Sequence, residues 1–372
     1  MRILLDYRPA LRARTGVGEY VHEMARALVA TATADESLLL FSSSWKDRLA
    51  SDAVPGAQSI DWRIPVGALN LAWHRLGWPP LEWLSGVSID VAQSFHPLLM
   101  PSTHAARLVT IHDLDFLDHP ERTGAEIRRD YPTLAAAHAR RADQVIVNSR
   151  HTAQEVERRL HVPASRITVC RPGAPAWSAR EAEPATGGCI LFLGTLEPRK
   201  NLYALLDAYE RVIAAWPLAP PLVLAGRVTE AAAPIVERTR RAPLAGHVEL
   251  PGYVDADARL ALYRRALVFV MPSHTEGFGM PVVEAMIAGV PVIAANRGAL
   301  PEATGPAGRL VDPDDAAAFA QTLREVLIDK PLRDRMRDEG RRHARTFSWT
   351  DSARRLREGW ALALEHRRQR HG

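Results

Sequence analysis

The stretch Phe269–Glu302, FVMPSHTEGFGMPVVEAMIAGVPVIAANRGALPE, decides the fold predicted for this 372-residue chain. An apolar run, Leu267–Met271, has the length and the Val and Phe content of a buried strand. A glycine loop then opens a short helix, Val282–Ala288, which Gly289 ends. A second apolar run, Val290–Ala295, follows directly. The order strand, glycine loop, helix, strand predicts a parallel βαβ unit.

Two carboxylates flank the start of this predicted helix. Glu276 and Glu284 are separated by seven residues in EGFGMPVVE. The loop presents backbone N–H groups, but two negative charges make it a poor phosphate site on its own. Carboxylates accept hydrogen bonds from adjacent hydroxyls, so sugar or ribose hydroxyls suit these residues better. The alternative is that Glu284 is a solvated first-turn residue favoured by the helix dipole.

Length and composition predict two soluble globular domains, with 47% hydrophobic and 24% charged residues. The net charge of +4 tolerates anionic ligands, but the arginines are spread along the chain and indicate no nucleic-acid partner. Cys170 and Cys189 have no disulfide or metal-site spacing. The amino-terminal apolar run is too short for a signal peptide, and no apolar run has membrane-spanning length, so the predicted location is the cytoplasm.

Strands alternate with helices on both sides of a segment rich in Pro, Gly and Ala, residues 171–188. This alternation predicts an α/β fold with two doubly wound, Rossmann-like domains that face a cleft. The predicted first domain spans residues 1–172 and the second spans residues 173–351. Residues 352–372 are predicted to hold a long basic helix, Ser352–Arg370.

Two candidate sites follow predicted strands in the first half. Gly16 and Gly18 open an amphipathic helix, but the third glycine of a dinucleotide fingerprint is missing, so the pair indicates a glycine turn near an anion or a flexible loop. His112 begins the sequence HDLD, where it could donate a hydrogen bond or transfer a proton. Asp113 and Asp115 of the same sequence could bind a divalent metal or cap a turn.

Two adjacent cations lie at a strand-to-helix junction in the second half. Arg199 and Lys200 follow the predicted strand Cys189–Leu193 in the sequence GTLEPRKN. Arginine offers a planar fork and lysine a compact charge, so the pair suits a diphosphate. The alternative is a pair of solvated surface side chains.

Tryptophans are concentrated in the first half, where Leu69–Leu84 mixes three of them with His74 and Arg75. Such a segment can lie on a bilayer surface, or its tryptophans can belong to buried helix packing. Together with the basic tail His366–His371, the first alternative predicts peripheral association with the anionic inner face of the plasma membrane.

Taken together, these residues resemble glycosyltransferase family 4, retaining enzymes with the two-domain GT-B architecture. EGFGMPVVE is similar to the family's paired-glutamate signature, and GTLEPRKN to its diphosphate-binding segment. The segment Gly252-Tyr253-Val254 resembles the one near the nucleotide base, while Gly16, Gly18 and His112 match the family's glycine loop and active-site histidine. The resemblance covers nearly the whole chain and implies that the final helix crosses back onto the first domain.

The resemblance implies a role for each charged residue. Arg199 and Lys200 would hold the diphosphate of a nucleotide-sugar donor. Glu284 would bind the ribose hydroxyls, and Glu276 would hold the transferred sugar. His112 would lie beside the primary hydroxyl of that sugar.

It also implies roles for backbone groups. In the glycine loop opened by Gly16, the Gly18 amide would reach the diphosphate across the cleft. The amides of Phe278 and Gly279 would hold the transferred sugar, and Tyr253-Val254 would lie near the base.

The implied activity is transfer of a hexose, with retention, to a glycan or lipid-linked acceptor in cell-surface polysaccharide synthesis. The opening segment and GTLEPRKN are most similar to bacterial mannosyltransferase-like enzymes, so GDP-mannose or a related donor is favoured over a UDP-linked one. We expect neither a metal nor a further cofactor, because Arg199 and Lys200 can neutralise the leaving diphosphate.

Two alternative functions remain. One is a sugar-nucleotide 2-epimerase, which shares the architecture but lacks the paired glutamates. The other is a non-catalytic sugar-nucleotide-binding protein. A metal-dependent, one-domain transferase that uses Asp113 and Asp115 is disfavoured by the second nucleotide-type domain.

Overall fold

A computed structural model of the chain describes residues 1–11, 16–122, 125–184 and 186–371. Arg12 and Arg14, which precede Gly16 in the sequence, lie outside the described residues. The chain divides into two compact units. The first combines Met1–Gly173 with the segment that starts at Ser348, and the second is Ala174–Phe347.

A parallel sheet forms the centre of the first unit. Its described strands are β1 (Arg2–Asp6), β2 (Ser37–Ser43), β3 (Gln58–Trp62), β4 (Val91–Gln93), β5 (Ala106–Ile111), β6 (Gln144–Val147) and β7 (Ile167–Val169). They are arranged in the order β3-β2-β1-β4-β5-β6-β7, with every pairing parallel. The strand order reverses between β1 and β4, and α/β sheets bind ligands at the carboxyl ends of strands at such a point.

Helices cover the sheet of the first unit. Those described before the second unit are α1 (Val17–Ala30), α2 (Val66–Leu76), α3 (Leu81–Ser85), α4 (Asp115–Asp118), α5 (Ala125–Arg141) and α6 (Arg150–Leu160). Side chains of β5 and β6 form one core with α5 and α6, while Leu4, Phe41 and Ala92 form another with α2 and α3. The sheet is therefore buried by helices, as parallel sheets require.

The second unit repeats this plan. Its described strands are β8 (Cys189–Leu193), β9 (Leu222–Ala225), β10 (Val248–Gly252), β11 (Ala266–Met271), β12 (Val292–Ala295) and β13 (Arg309–Val311), in the parallel order β10-β9-β8-β11-β12-β13. Ile190 and Phe192 belong to one core, whereas Cys189 and Leu191 belong to another. Because successive strand residues face opposite sides, both faces of this sheet are buried, as the doubly wound prediction requires.

Seven helices flank this sheet within the described part of the second unit. They are α7 (Leu202–Ala215), α8 (Ala233–Thr239), α9 (Ala256–Arg265), α10 (Met280–Ile287), α11 (Leu300–Thr304), α12 (Ala316–Ile328) and α13 (Lys330–Ala344). The helix α10 begins two residues earlier than predicted, because Pro281 is accepted in its first turn.

The last helix, α14 (Trp349–His371), belongs to the first unit, as predicted. It packs against α1 and against β5, β6 and β7. The fully buried Trp360 donates its indole N–H to Gln93 Oε1 at 3.2 Å, and Arg357 binds the Glu36 carboxylate with its closest contact at 2.8 Å. These contacts attach the carboxyl-terminal helix to the first sheet.

The tryptophan-rich segment forms two helices, α2 and α3, rather than one continuous element. Buried packing holds for Trp73, which is 4% exposed, but Trp78 and Trp83 are 52% and 70% exposed. Their rings contact each other edge to face at a centroid distance of 5.6 Å.

No helix in the described ranges is both long and apolar enough to span a membrane.

Candidate active site

The glycine loop between β11 and α10 is shaped by its own packing. Gly279 precedes α10 with φ = 98°, and a Cβ there would lie 2.8 Å from Leu300 Cδ2. Only glycine fits this position without strain. Phe278 is 3% exposed and its ring packs on Phe347, so its side chain is not available to a ligand. The Phe278 side chain therefore belongs to the packing of the loop, and the contact predicted between the Phe278 and Gly279 amides and the sugar stays a prediction.

Three charged side chains meet where β8 and β11 end. These strands are neighbours in the sheet, so the loops that follow them lie at the same edge. Lys200 Nζ donates to Glu276 Oε1 at 2.5 Å, and Arg199 Nη1 lies 3.4 Å from Glu276 Oε2. Lys200 is 6% exposed and Glu276 8%. The solvated-surface alternative is therefore wrong for Lys200.

The charges of this cluster hold Glu276 ionised. Burial raises the pKa of Glu276, but the charges of Lys200 and Arg199 and the hydrogen bond from Lys200 outweigh burial and lower it to about 2. The ion pair between Glu276 and Lys200 therefore contributes its full stabilisation above pH 4.5, the ordinary pKa of a glutamate. This stabilisation is lost as the pH falls towards 2 and Glu276 becomes protonated. Arg199 also donates to Glu197 Oε1 at 2.6 Å.

Glu284 lies in α10 and is only 4% exposed. The solvated first-turn alternative is therefore wrong. Tyr263 Oη donates to Glu284 Oε2 at 2.9 Å, and Arg259 Nη1 lies 3.3 Å from Glu284 Oε1. Both partners come from α9, and sequence reasoning missed them because nothing in ARLALYRR distinguishes a functional helix face from a structural one.

Tyr253 and Val254 follow β10, the edge strand of the second sheet. Tyr253 is 49% exposed, while Val254 packs against the core that includes α10. The structure places this pair at the end of β10, which is separated from β8 by β9 in the sheet. Its predicted place near a base stays a prediction.

His112 follows β5 in the first unit. Its Nε2 lies 3.2 Å from the Phe95 carbonyl oxygen, which can only accept, so Nε2 carries the proton and Nδ1 is left as an acceptor in the neutral ring. Burial lowers the pKa of His112, which keeps the ring neutral at pH 7. The ring of Tyr20, from the start of α1, packs edge-on at 5.1 Å.

The neighbouring Asp113 behaves as a turn residue. Asp113 Oδ1 accepts a hydrogen bond from the Asp115 backbone N–H at 3.2 Å, as the capping alternative predicted. Asp255 likewise caps α9 by accepting from the Ala258 N–H. Among the residues that the structure describes, no group of three or more His, Cys, Asp or Glu side chains is placed to hold a metal ion.

Local structure favours glycine at positions 16 and 18 of the first unit for two different reasons. Gly16 precedes α1 with φ = 47°, in the left-handed region. Gly18 lies inside α1, where a Cβ would lie 2.8 Å from the Pro9 carbonyl oxygen. Close packing of α1 on the preceding turn thus requires glycine at position 18, whether or not its amide binds a ligand.

Comparison with known proteins identifies both halves. The family model for Glycosyltransferase Family 4 matches residues 14–176, and the model for Glycosyl transferases group 1 matches residues 174–343. O-antigen chain mannosyltransferase B of Escherichia coli is 27% identical over 94% of this chain and 96% of its own length. D-inositol 3-phosphate glycosyltransferase of Streptomyces avermitilis is 31% identical over 80% and 69%. Sucrose-phosphate synthase from Thermosynechococcus elongatus shares the fold, with a TM-score of 0.78 and 21% identity over 96% of this chain and 97% of its own.

Two Rossmann-like units with parallel sheets, matched over 96% of this chain by the sucrose-phosphate synthase structure, show the GT-B fold. The chain belongs to the glycosyltransferase family that combines a family 4 first half with a group 1 second half.

Proposed function

We propose that this glycosyltransferase moves a hexose from GDP-mannose or a related nucleotide sugar to a glycan or lipid-linked acceptor in cell-surface polysaccharide synthesis, with retention. The observation that carries the proposal is the cluster of the buried Lys200 and Glu276 with the half-buried Arg199 beside the glycine loop. The name of the Escherichia coli relative, an O-antigen chain mannosyltransferase, supports mannose as the sugar and a polysaccharide as the product.

The chemistry follows from the charges. Breaking the bond between sugar and phosphate places negative charge on the diphosphate and positive charge on the anomeric carbon. Lys200 and Arg199 stabilise the first, and the Glu276 carboxylate stabilises the second. Glu284 accepts hydrogen bonds from the ribose. Same-face attack needs no separate base, and no residue is assigned as a nucleophile.

The roles predicted for the first unit remain proposals. The His112 ring presents Nδ1 as an acceptor, which is the chemistry that a contact with the primary hydroxyl of the transferred sugar requires. The Gly18 amide lies in the first turn of α1, where backbone N–H groups have no partner within the helix. Both are consistent with donor binding.

A thermal-shift panel of GDP, UDP, ADP and dTDP tests the proposal. A nucleotide at a hundred times its dissociation constant adds about 2.7 kcal/mol of stability, which corresponds to a shift of a few degrees. We expect GDP to give the largest shift. Turnover of labelled GDP-mannose into a glycan product then separates a transferase from a 2-epimerase, which would alter the donor alone, and from a binding protein, which would leave it intact.

We predict that transfer does not require a metal ion, because Arg199 and Lys200 supply the positive charge that the leaving group needs. Activity measured as GDP release from GDP-mannose should be the same with and without EDTA. Loss of activity on chelation, restored by magnesium or manganese, would contradict this prediction. Asp113 and Asp115 would then again be candidate ligands of a divalent metal.

We also propose a cytoplasmic location with peripheral binding to an anionic membrane. Trp78, Trp83 and Leu76 are 52%, 70% and 76% exposed around the link between α2 and α3, next to the exposed Arg75. Tryptophan suits the membrane interface, and arginine suits anionic headgroups.

Flotation with anionic liposomes should therefore show binding that weakens as salt is added. Replacing both Trp78 and Trp83 with alanine should weaken it by about tenfold or more. Leu218→Ala, at an 86% exposed position of the second unit, is the matched control and should bind normally. Absence of binding at low salt would refute the proposal.

A further inference from the structure

A group of arginines meets at the edge of the first sheet where β5 and β6 begin. Arg107 is the second residue of β5, and Asp143 directly precedes β6. The Asp143 carboxylate, whose side chain is 1% exposed, accepts the Arg107 backbone N–H at 2.9 Å. Two arginines from the last turns of α14 lie near its two oxygens, Arg370 Nη1 at 3.4 Å and Arg367 Nη1 at 3.8 Å. Together with Arg141, the last residue of α5, these arginines are called the Arg107 cluster.

This edge of the sheet is opposite the one that carries His112. His112 follows the carboxyl end of β5, whereas Arg107 lies near its amino end, about 16 Å away along the strand. The end of α14 is attached at the same edge, because Arg367 donates to the Thr103 carbonyl oxygen at 2.9 Å, just before β5. A ligand of the Arg107 cluster is therefore not a ligand of His112.

The Arg107 cluster has more positive charge than its surroundings neutralise. Within the part of the chain that the structure describes, Asp143 is the only carboxylate paired with any of its four arginines. Burial lowers the pKa of Arg107, and the charges of the other three arginines lower it further against the opposing effect of Asp143. Like charges held together disfavour the folded state, and a fold keeps such an arrangement where it serves binding.

The alternative is that these arginines only cap carbonyl groups. Arg370 donates to the Arg141 carbonyl oxygen at 3.4 Å, at the carboxyl end of α5, where a positive charge is favourable. The guanidinium of Arg107 is different. Its Nε is buried and, among the described residues, has no hydrogen-bond partner, although buried polar groups normally have one. Capping therefore explains Arg370 but not Arg107.

We propose that the Arg107 cluster binds a phosphoryl group. A planar guanidinium fork matches two phosphate oxygens, and several arginines around one anion supply charge-assisted hydrogen bonds. Anionic lipid headgroups and soluble phosphorylated ligands both carry this group and present the same chemistry to the cluster. The inference goes beyond the proposed function, since it needs neither the nucleotide-sugar donor nor Trp78 and Trp83.

Calorimetric titration with inorganic pyrophosphate, with GDP present to fill the proposed donor site, tests the inference. Wild type should bind the probe, and Arg107→Met should weaken binding by about tenfold or more, the value of one charge-assisted hydrogen bond. Arg370→Met, at an exposed position, should have a similar effect, and Arg107→Lys should recover part of the affinity. Arg158→Met is the matched control, because Arg158 is an exposed arginine of the same unit that pairs with Glu155 at 2.8 Å.

The melting temperature separates a binding role from a structural one. In a buffer without phosphate, Arg107→Met should melt at a higher temperature than wild type, because it removes a like charge and a buried N–H without a partner. A purely structural role for Arg107 predicts a lower melting temperature instead, and that result would count against the inference.

Flotation with phosphatidylcholine vesicles, with and without phosphatidylglycerol, identifies the source of the phosphoryl group. If a lipid supplies it, Arg107→Met and Arg370→Met should each weaken binding to the phosphatidylglycerol vesicles by about fivefold. If a soluble ligand supplies it, both variants should float as wild type does while losing affinity for pyrophosphate.

The inference is overturned if wild type does not bind pyrophosphate, or if Arg107→Met and Arg370→Met bind it as tightly as wild type. Binding that is lost in Lys200→Met but kept in Arg107→Met would place the probe at the proposed donor site and would also overturn it. A wild type that binds pyrophosphate through Arg107 but binds no GDP would refute the proposed function and support this inference.

Discussion

Replacing Lys200 with methionine should lower kcat/KM for GDP-mannose by at least about a thousandfold. Methionine keeps the apolar stem but removes the ammonium group, which lies 2.5 Å from Glu276 and is the more buried of the two cations. The loss combines the stabilisation of the leaving diphosphate, worth about a hundred- to a thousandfold, with the repulsion of that diphosphate by a Glu276 carboxylate that Lys200 no longer neutralises. The measurement is GDP release with a mannose-containing oligosaccharide acceptor.

Two further variants make this result interpretable. Lys330→Met removes an exposed lysine that pairs with Asp334 and should have no effect on kinetics. Lys200→Met should also lower the melting temperature, because breaking a buried ion pair costs about 3–5 kcal/mol. The double variant Lys200→Met/Glu276→Gln removes both charges, so it should recover stability without recovering activity. A Lys200→Met enzyme within tenfold of wild type would show that this cation does not hold the donor.

Replacing each of the two glutamates with glutamine should change different kinetic parameters. Glu284 is assigned to ribose, which changes little during the reaction, so Glu284→Gln should raise the donor KM and weaken GDP binding. Glu276 is assigned to the transferred sugar, where positive charge develops, so Glu276→Gln should lower kcat more than it raises KM. Each effect should be about one to two decades, from roughly 1.5–3 kcal/mol for a charge-assisted hydrogen bond.

Binding of GDP without sugar separates the two roles further. In the structure Glu276 already contacts Lys200 and Arg199, the cations proposed for the diphosphate. Removing its charge should therefore leave GDP affinity unchanged or raise it. Glu249→Gln, at an exposed position, is the control for the loss of one carboxylate. If Glu276→Gln loses GDP affinity while Glu284→Gln keeps it, the two roles are reversed. If neither changes donor kinetics, the assignment of this site is wrong.

Much of the fold can be predicted from the sequence because its buried strands are short apolar runs with clear ends. The strand Cys189–Leu193 is predicted with the bounds that the structure shows, and the predicted runs Leu267–Met271 and Val290–Ala295 differ from the observed strands by at most two residues at one end. The strand β3, Gln58–Trp62, was missed. It lies at the edge of its sheet, its residues are exposed or half-buried, and QSIDW therefore lacks the apolar run that marks the other strands.

The candidate site could be predicted only where its residues are local in sequence. Glu276, the glycine loop and Glu284 form one continuous motif, so they were found. The contact between Lys200 and Glu276 was not, because it joins residues 76 positions apart and depends on β8 lying beside β11. Arg259 was missed for the same reason, since its proximity to Glu284 arises from packing between two helices.

Calorimetric titration of GDP-mannose into wild type and Lys200→Met, both in EDTA, tests the central claim most directly. That claim is that the cluster of Lys200, Arg199 and Glu276 holds the donor without a metal. We predict binding to wild type and a loss of affinity of at least about thirtyfold in Lys200→Met, from the roughly 2–5 kcal/mol lost with one partner of a buried charge pair. Equal affinity for the two proteins, or binding to wild type only after a divalent metal is added, would contradict the claim.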